Sequence, residues 1–215
     1  MSLFLGKIHY WLFDKIKWFE GLESDIVSWA EHKGLPVDNW KQEIYKDFGH
    51  PVEDKPLEDM IDTSNIHGWL QDKISKAEGR QAAWVTKILN SSKEYKNDLI
   101  SIFEKQGNKL GIEYSEKSIP NSPQEIYNII NDFILEGMPC DRVTEELESD
   151  STVYIWRTNL CLHSKYWDSV HGDVNNFYIL RDAWITSFIK ALNFNFSYNV
   201  SIIDNKRIQE IRRSS

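Results

Sequence analysis

Two cysteines, six prolines and three methionines in 215 residues leave little room for several protein classes. Cys140 and Cys161 are too few for the disulfide framework of a small secreted domain, and no zinc-ribbon spacing of Cys and His is present. The expectation is therefore a reducing cytosol, no metal and no cofactor. Positive charge is also scarce: 25 Lys and Arg stand against 33 Asp and Glu, a net charge of −8. That balance repels a polyphosphate, and no basic stripe interleaves with aromatics to reverse it locally, so nucleic acid is not an expected partner. No apolar run approaches the roughly 18 uninterrupted residues of a membrane span. The opening "MSLFLGKIHYWLFDKIKWFE" carries Lys, Asp and His through its apolar stretch. The chain reads as soluble and unprocessed, with no membrane partner.

Aromatics, by contrast, are plentiful. Nine Trp, nine Tyr and ten Phe, within a hydrophobic content of 41%, supply ample material for a core and for the walls of a ligand pocket.

The chain also writes one phrase twice. "IHYWLFDKI" at 8–16 returns as "IHGWLQDKI" at 66–74, and with Glu20-Gly21 against Glu78-Gly79, nine of fourteen positions recur. At 100° per residue, Ile8, Trp11, Leu12, Ile16 and Phe19 share one helical arc, as do Ile66, Trp69, Leu70, Ile74 and Ala77. Lys15 and Lys73 project from the middle of these stripes one turn after Trp11 and Trp69, where an ammonium can lie over an indole. His9 and His67 lie at the stripe's edge. Two such helices packed antiparallel about a local two-fold axis would bring equivalent residues together. Two readings stay open: helix packing with Lys stems over apolar surface, or a shared polar pocket of two His and two Lys suited to a carboxylate or phosphate.

Periodicity makes 1–137 helical, with an interruption at Gly21, a stop at Gly34-Leu35-Pro36, a helix capped by Gly49, and a helix running from Ser122-Pro123 to Gly137. After that the period changes. "RVTEELESDSTVYIWRTNL" reads as a hairpin turning at Asp150-Ser151, a register that sets Cys140 opposite Cys161. Two helices follow, then a strand in which Phe194, Phe196, Tyr198, Val200 and Ile202 alternate with polar residues, and a last strand after Asp204-Asn205. The expectation is an α+β fold, with a helical N-terminal region (1–137) packed on a C-terminal β-β-α-α-β-β antiparallel sheet layer (138–215).

Cys161 stands where a strand hands over to a helix, with His163 two residues later; amide N–H groups and a nearby imidazole favour a thiolate. The alternative is a pair of unrelated thiols. Arg181 lies near the centre of a stripe formed by Val174, Phe177, Trp184, Ile185, Phe188 and Leu192, so its guanidinium needs an anion. Glu145 and Glu146 are the structural candidates, and a ligand carboxylate is the functional one.

On "VYIWRTNLCLHSKYW", "YILRDAWITSFIKALN" and "FNFSYNVSIIDNKRIQEIRR", residues 140–213 resemble the L-2-amino-thiazoline-4-carboxylic acid hydrolase-like family, similar in outline to 4-vinyl-reductase-like ligand-binding domains. Cys161 and Asp182 match the family pattern, whereas Ile179 or Leu180 and Ile208 stand where it carries further cysteines. The resemblance implies binding or hydrolysis of a small carboxylate-bearing ring compound. Cys161, His163 and Asp182 would then be nucleophile, proton carrier and orienting acid. Arg181, Trp184, Trp156, His9 and His67 would form the substrate-binding set. The alternatives are a non-catalytic ligand-binding module, and an interaction protein whose duplicated helices form a homodimer face.

Overall fold

The computed structural model describes residues 5–193 and 195–214; the strand expectation at Phe194 lies outside them. In chain order the elements are α1 (Lys7–His32), α2 (Val37–Phe48), α3 (Ile66–Ser91), α4 (Lys96–Ser115), α5 (Pro123–Asn131), β1 (Thr144–Ser149), β2 (Val153–Thr158), α6 (Ser164–Ser169), α7 (Val174–Leu192), β3 (Phe196–Ile203) and β4 (Lys206–Arg213). The fold is α+β, with helices leading and a four-stranded antiparallel sheet at the C-terminal end. No helix among the described residues is long and apolar enough to cross a membrane.

The chain condenses into two compact units, each discontinuous in sequence: residues 1–95, 132–138 and 163–174 make the first, and 96–131, 139–162 and 175–215 make the second.

In the first unit the two copies of the repeat become α1 and α3. Helix α1 runs unbroken through Gly21, contrary to the expected interruption, because a glycine inside a helix costs only about 1 kcal/mol and burial of both flanking turns outweighs it. The helices are parallel, not antiparallel. His9 meets His67 at their N-terminal ends and Glu23 meets Arg80 further along, so residue numbers rise together on both helices. The reason lies in the connection: residues 33–65, with α2 inside them, return the chain to its starting end before α3 begins.

Equivalent stripe residues still face one another. Leu12 with Leu70 and Ile16 with Ile74 are at most 2% exposed, and Phe19 is paired in the pattern with the small Ala77. Each such burial is worth roughly 1.5–3 kcal/mol. Helix α2 comes so close to α3 that a Cβ on Gly79 would stand 2.3 Å from the Phe48 ring.

In the second unit the sheet order is β1-β2-β4-β3. Tyr154, Ile211 and Tyr198 share a register row, as do Trp156, Gln209 and Val200. These rows form the face that α5 and α7 cover: Tyr127 of α5 lies against Tyr154 and Trp156, and Asp182 of α7 holds Tyr198 and Arg207. The turn at Asp204-Asn205 takes φ of 49° and 60°, the left-handed pair of a tight hairpin turn.

The β1–β2 register shifts by a bulge between Glu146 and Glu148, and Cys140 falls in a short 3₁₀ turn before β1. Neither cysteine is in a disulfide, Cys140 is exposed and Cys161 half-buried, and because Cys140 precedes β1 the two do not lie opposite each other in the strand register. Helix α5 ends at Asn131, six residues earlier than its apolar spacing predicts. Residues 132–138 leave the helix and serve the first unit instead.

Candidate functional site

The parallel pair α1–α3 carries a local two-fold axis along its length, and two grooves flank it. The operation carries Trp11, Lys15 and Trp18 of α1 onto Trp69, Lys73 and Lys76 of α3, and Glu78 onto Glu20. Each groove therefore combines a Trp-Lys pair from one helix with a glutamate from the other.

The first groove is filled by the chain itself. Lys15 Nζ lies 4.0 Å from the centre of the Trp11 ring, and the Trp11 indole N–H donates to Asp132 Oδ1 at 2.9 Å. Trp18 meets Phe133 edge-on. His163 is wholly buried and bridges two carboxylates, with Nδ1 2.9 Å from Glu78 and Nε2 3.2 Å from Glu136. Burial works to lower its pKa, but the charges and hydrogen bonds of Glu78 and Glu136 prevail and raise it to about 9. At neutral pH it is an imidazolium donating from both nitrogens. Lys15 is only 4% exposed; burial pushes its ammonium down to about 8 against the pull of Glu136 and Asp132.

The second groove is open. Lys73 Nζ again lies over its tryptophan, 5.0 Å from the Trp69 ring centre, and its nearest ion-pair partner is Asp72 of its own helix at 4.0 Å. The Trp69 indole N–H has no partner among the described residues. Residues 49–60 arch over this side, held by Glu20 accepting from the Val52 N–H and by Lys17 on Asp54 at 2.8 Å. Between that arch and α3 lies a cleft of about 700 Å³, lined on its polar side by His50, Lys55, Lys73, Lys76, Glu53 and Asp59.

Behind the cleft, Arg80 is fully buried. It pairs with Glu20 and, at 2.7 Å, with Glu23, and it donates to the carbonyls of Gly49 and His50. Burial raises the pKa of both glutamates, with Arg80 opposing. Arg80 thus does for Glu20 what His163 does for Glu78.

The residues singled out by sequence distribute as follows. His9 and His67 meet on the axis, Nε2 to Nε2 at 3.4 Å, while Lys15 and Lys73 diverge into separate grooves rather than sharing a pocket. His9 Nδ1 accepts from the Gly6 N–H at 2.9 Å. His163 belongs to the first unit, and both its ring nitrogens are engaged by glutamates. Cys161 and Asp182 belong to the second. Asp182 receives Arg207 on both oxygens, at 2.8 and 2.6 Å, and the Tyr198 hydroxyl at 3.1 Å; burial, then the charge of Asp182, raises the Tyr198 pKa.

Arg181 is buried, with its guanidinium 5.2 Å from the Phe177 ring and 5.0 Å from that of Tyr178. Glu145, offered as its structural partner, instead takes Arg157 and Asn159, because its strand lies at the sheet's edge with all of its residues exposed. Trp184 stacks on Phe188 and Trp156 packs among Tyr127, Tyr154 and Tyr198, both deep in the core.

Comparison with protein-family models, with curated proteins and with solved structures finds no match to this chain. Sequence reasoning passed over Glu20, Arg80, Glu78 and Glu136. Glu20 and Glu78 were visible as part of the repeat, and their equal spacing from Lys15 and Lys73 was the available signal.

Proposed function

We propose that the protein binds a small carboxylate-bearing organic compound in the cleft beside Trp69 and Lys73, without covalent chemistry. One observation carries this reading: the same Trp-Lys pair, on the symmetry-related face, is satisfied by acidic side chains of the chain itself, whereas Trp69 and Lys73 face an open cleft. A cleft of about 700 Å³ falls within the range typical of small-molecule sites. Lys73 gives it the ammonium an acid requires, while of the other lining lysines Lys55 pairs with Glu53 and Lys76 with Asp72 at 2.8 Å. Because both nitrogens of His163 and both oxygens of Asp182 have other partners, binding is favoured over a Cys-His-Asp mechanism. The duplicated apolar stripes bury one another within one chain, so the reading needs no second copy. Two cysteines in 215 residues, too few for a disulfide framework, support a reducing, cytosolic setting.

The test is a thermal-shift panel of small carboxylic acids on the parent, Lys73→Met and Arg181→Gln. Acids that raise the parent's Tm should lose the shift in Lys73→Met and keep it in Arg181→Gln. The opposite pattern would move the site to the second unit and defeat the reading.

A further inference from the structure

We infer that β3 is a pairing edge through which two copies of the chain join, their β3 strands running antiparallel about Val200 and their sheets merging into one. The interface lies in the second unit and uses no residue of the cleft.

Strand β3 has a strand neighbour on one side only, β4. The two-residue turn at Asp204-Asn205 makes Ile203 and Lys206 a hydrogen-bonded pair, and the alternation of an antiparallel ladder then sends the N–H and C=O of Ser201, Asn199 and Ser197 to β4 as well. Phe196, Tyr198, Val200 and Ile202 turn theirs the other way. The Phe196 N–H donates to the Asn193 carbonyl at 3.2 Å, and the outward groups of Tyr198, Val200 and Ile202 have no backbone partner among the described residues.

The two edges of the sheet are guarded differently. Strand β1 is short and carries Glu145, Glu146, Glu148 and a bulge, devices that keep an edge from pairing. Strand β3 keeps an unbroken register from Phe196 to Ile203 with no charged residue and no proline. Its last two residues, Ile202 and Ile203, are 61% and 55% exposed. A long, regular, neutral edge ending in bare isoleucines is a template for another strand.

A second copy is the strand that fits it. Two chains of net charge −8 repel unless they meet on neutral surface, which β3 offers and β1 does not. A two-fold axis at Val200 pairs Val200 with its equivalent and Tyr198 with Ile202 of the other copy, which satisfies the outward N–H and C=O groups of all three. Ile202 then stands beside the other copy's Tyr198, and on the opposite face Asn199 meets Ser201 and Ile203 meets Ser197. The same register brings Asp204 of one copy opposite Phe196 of the other, whose ring carries the Arg213 guanidinium at 4.7 Å, so an acid and a base meet at each end of the pairing.

The experiment is sedimentation equilibrium of the full chain at fixed ionic strength, from about 1 to about 100 μM. The parent's mass should rise across that range toward twice the 25.3 kDa of one chain. Asn199→Lys with Ser201→Lys sets ammonium against ammonium across the pairing and should weaken the dimer at least about tenfold. The added lysines lower the net negative charge, which by itself favours association, so a loss reports the local contact. Asn199→Glu with Ser201→Glu should weaken it likewise, and mixing the two variants should restore a dimer of mixed composition. Val200→Pro removes the central outward N–H while leaving the β4 ladder intact, and should also weaken the dimer about tenfold. Both pairs of charge substitutions fall on exposed side chains, and melting curves matching the parent's would certify that the variants fold.

A parent of single-chain mass across the whole range would overturn the inference. So would a dimer unchanged by the two lysines, which places the contact elsewhere, or folded lysine and glutamate variants that stay apart when mixed.

Discussion

The two grooves of the α1–α3 pair begin from the same residues and end in different states. Around Lys15 the chain supplies Asp132, Glu136 and His163, and the ammonium is shut away from water. Around Lys73 the lysine side chain keeps 24% of its surface, and the covering segment leaves a cleft. Buried ions survive only when paired, so each groove provides a cation for its inner glutamate, His163 for Glu78 and Arg80 for Glu20. The contrast teaches that a duplicated helix can have one copy of a groove filled by the chain itself and the other left as an open cleft. What separates them is not the repeat but where the acids of the segment laid across it reach: Asp132 takes the Trp11 indole, whereas Asp54 goes to Lys17 and Glu53 to Lys55.

The inner cations give the largest effects that break this comparison. Arg80→Met strands Glu20 and Glu23 in the core and should cost about 3–5 kcal/mol in urea unfolding; a loss below about 1 kcal/mol would show that the buried glutamates are neutral.

His163→Gln should cost somewhat less, about 3 kcal/mol, because Glu136 keeps some contact with water. It should also change the pH profile. The folded His163 pKa of about 9 exceeds the unfolded value near 6.5, so the native state binds the extra proton between those values. The parent's stability is then full below about pH 6.5 and falls as pH rises toward 9. Lys15, depressed to about 8, sheds its proton earlier when folded than when unfolded and so adds stability above pH 8. The decline should therefore be steepest between pH 6.5 and 8, and His163→Gln should flatten it; an unchanged slope in the variant would place the titration elsewhere.

The lysines sharpen the comparison on a finer scale. Lys15→Met removes a cation held over Trp11 and should cost about 1 kcal/mol by urea unfolding. Lys73→Met should stay within about 0.5 kcal/mol of the parent, since its side chain is partly solvated and weakly paired. Equal losses at the two positions would mean that the two grooves do the same structural work.

Much of this was legible in the residues. The repeat announced two helices, their stripe and their Trp-Lys pairs, and alternation from Phe196 onward announced the closing hairpin. Helix direction was not legible, because an apolar arc packs equally well against a parallel or an antiparallel partner; only the path of residues 33–65 decides it. Nor was the end of α5. Ile134 and Leu135 continue a helical pattern, yet Phe133 against Trp18, Asp132 on Trp11 and Glu136 on His163 draw the segment away. Tertiary partners outweighed local periodicity there. Arg181 was correctly placed facing the interior, but its surroundings are aromatic rings, which its spacing on α7 does not disclose. The cleft itself was hidden for the same reason as α5's end: a groove is open or closed according to what crosses it, and what crosses it comes from elsewhere in the chain.

The most direct test of the account is a crystal structure of the protein grown in glutarate. A carboxylate should lie in the cleft beside Trp69 and Lys73, with Glu136 still on His163 in the opposite groove. Glutarate lodged elsewhere, or displacing Glu136 from His163 while the cleft beside Lys73 holds only water, would contradict it.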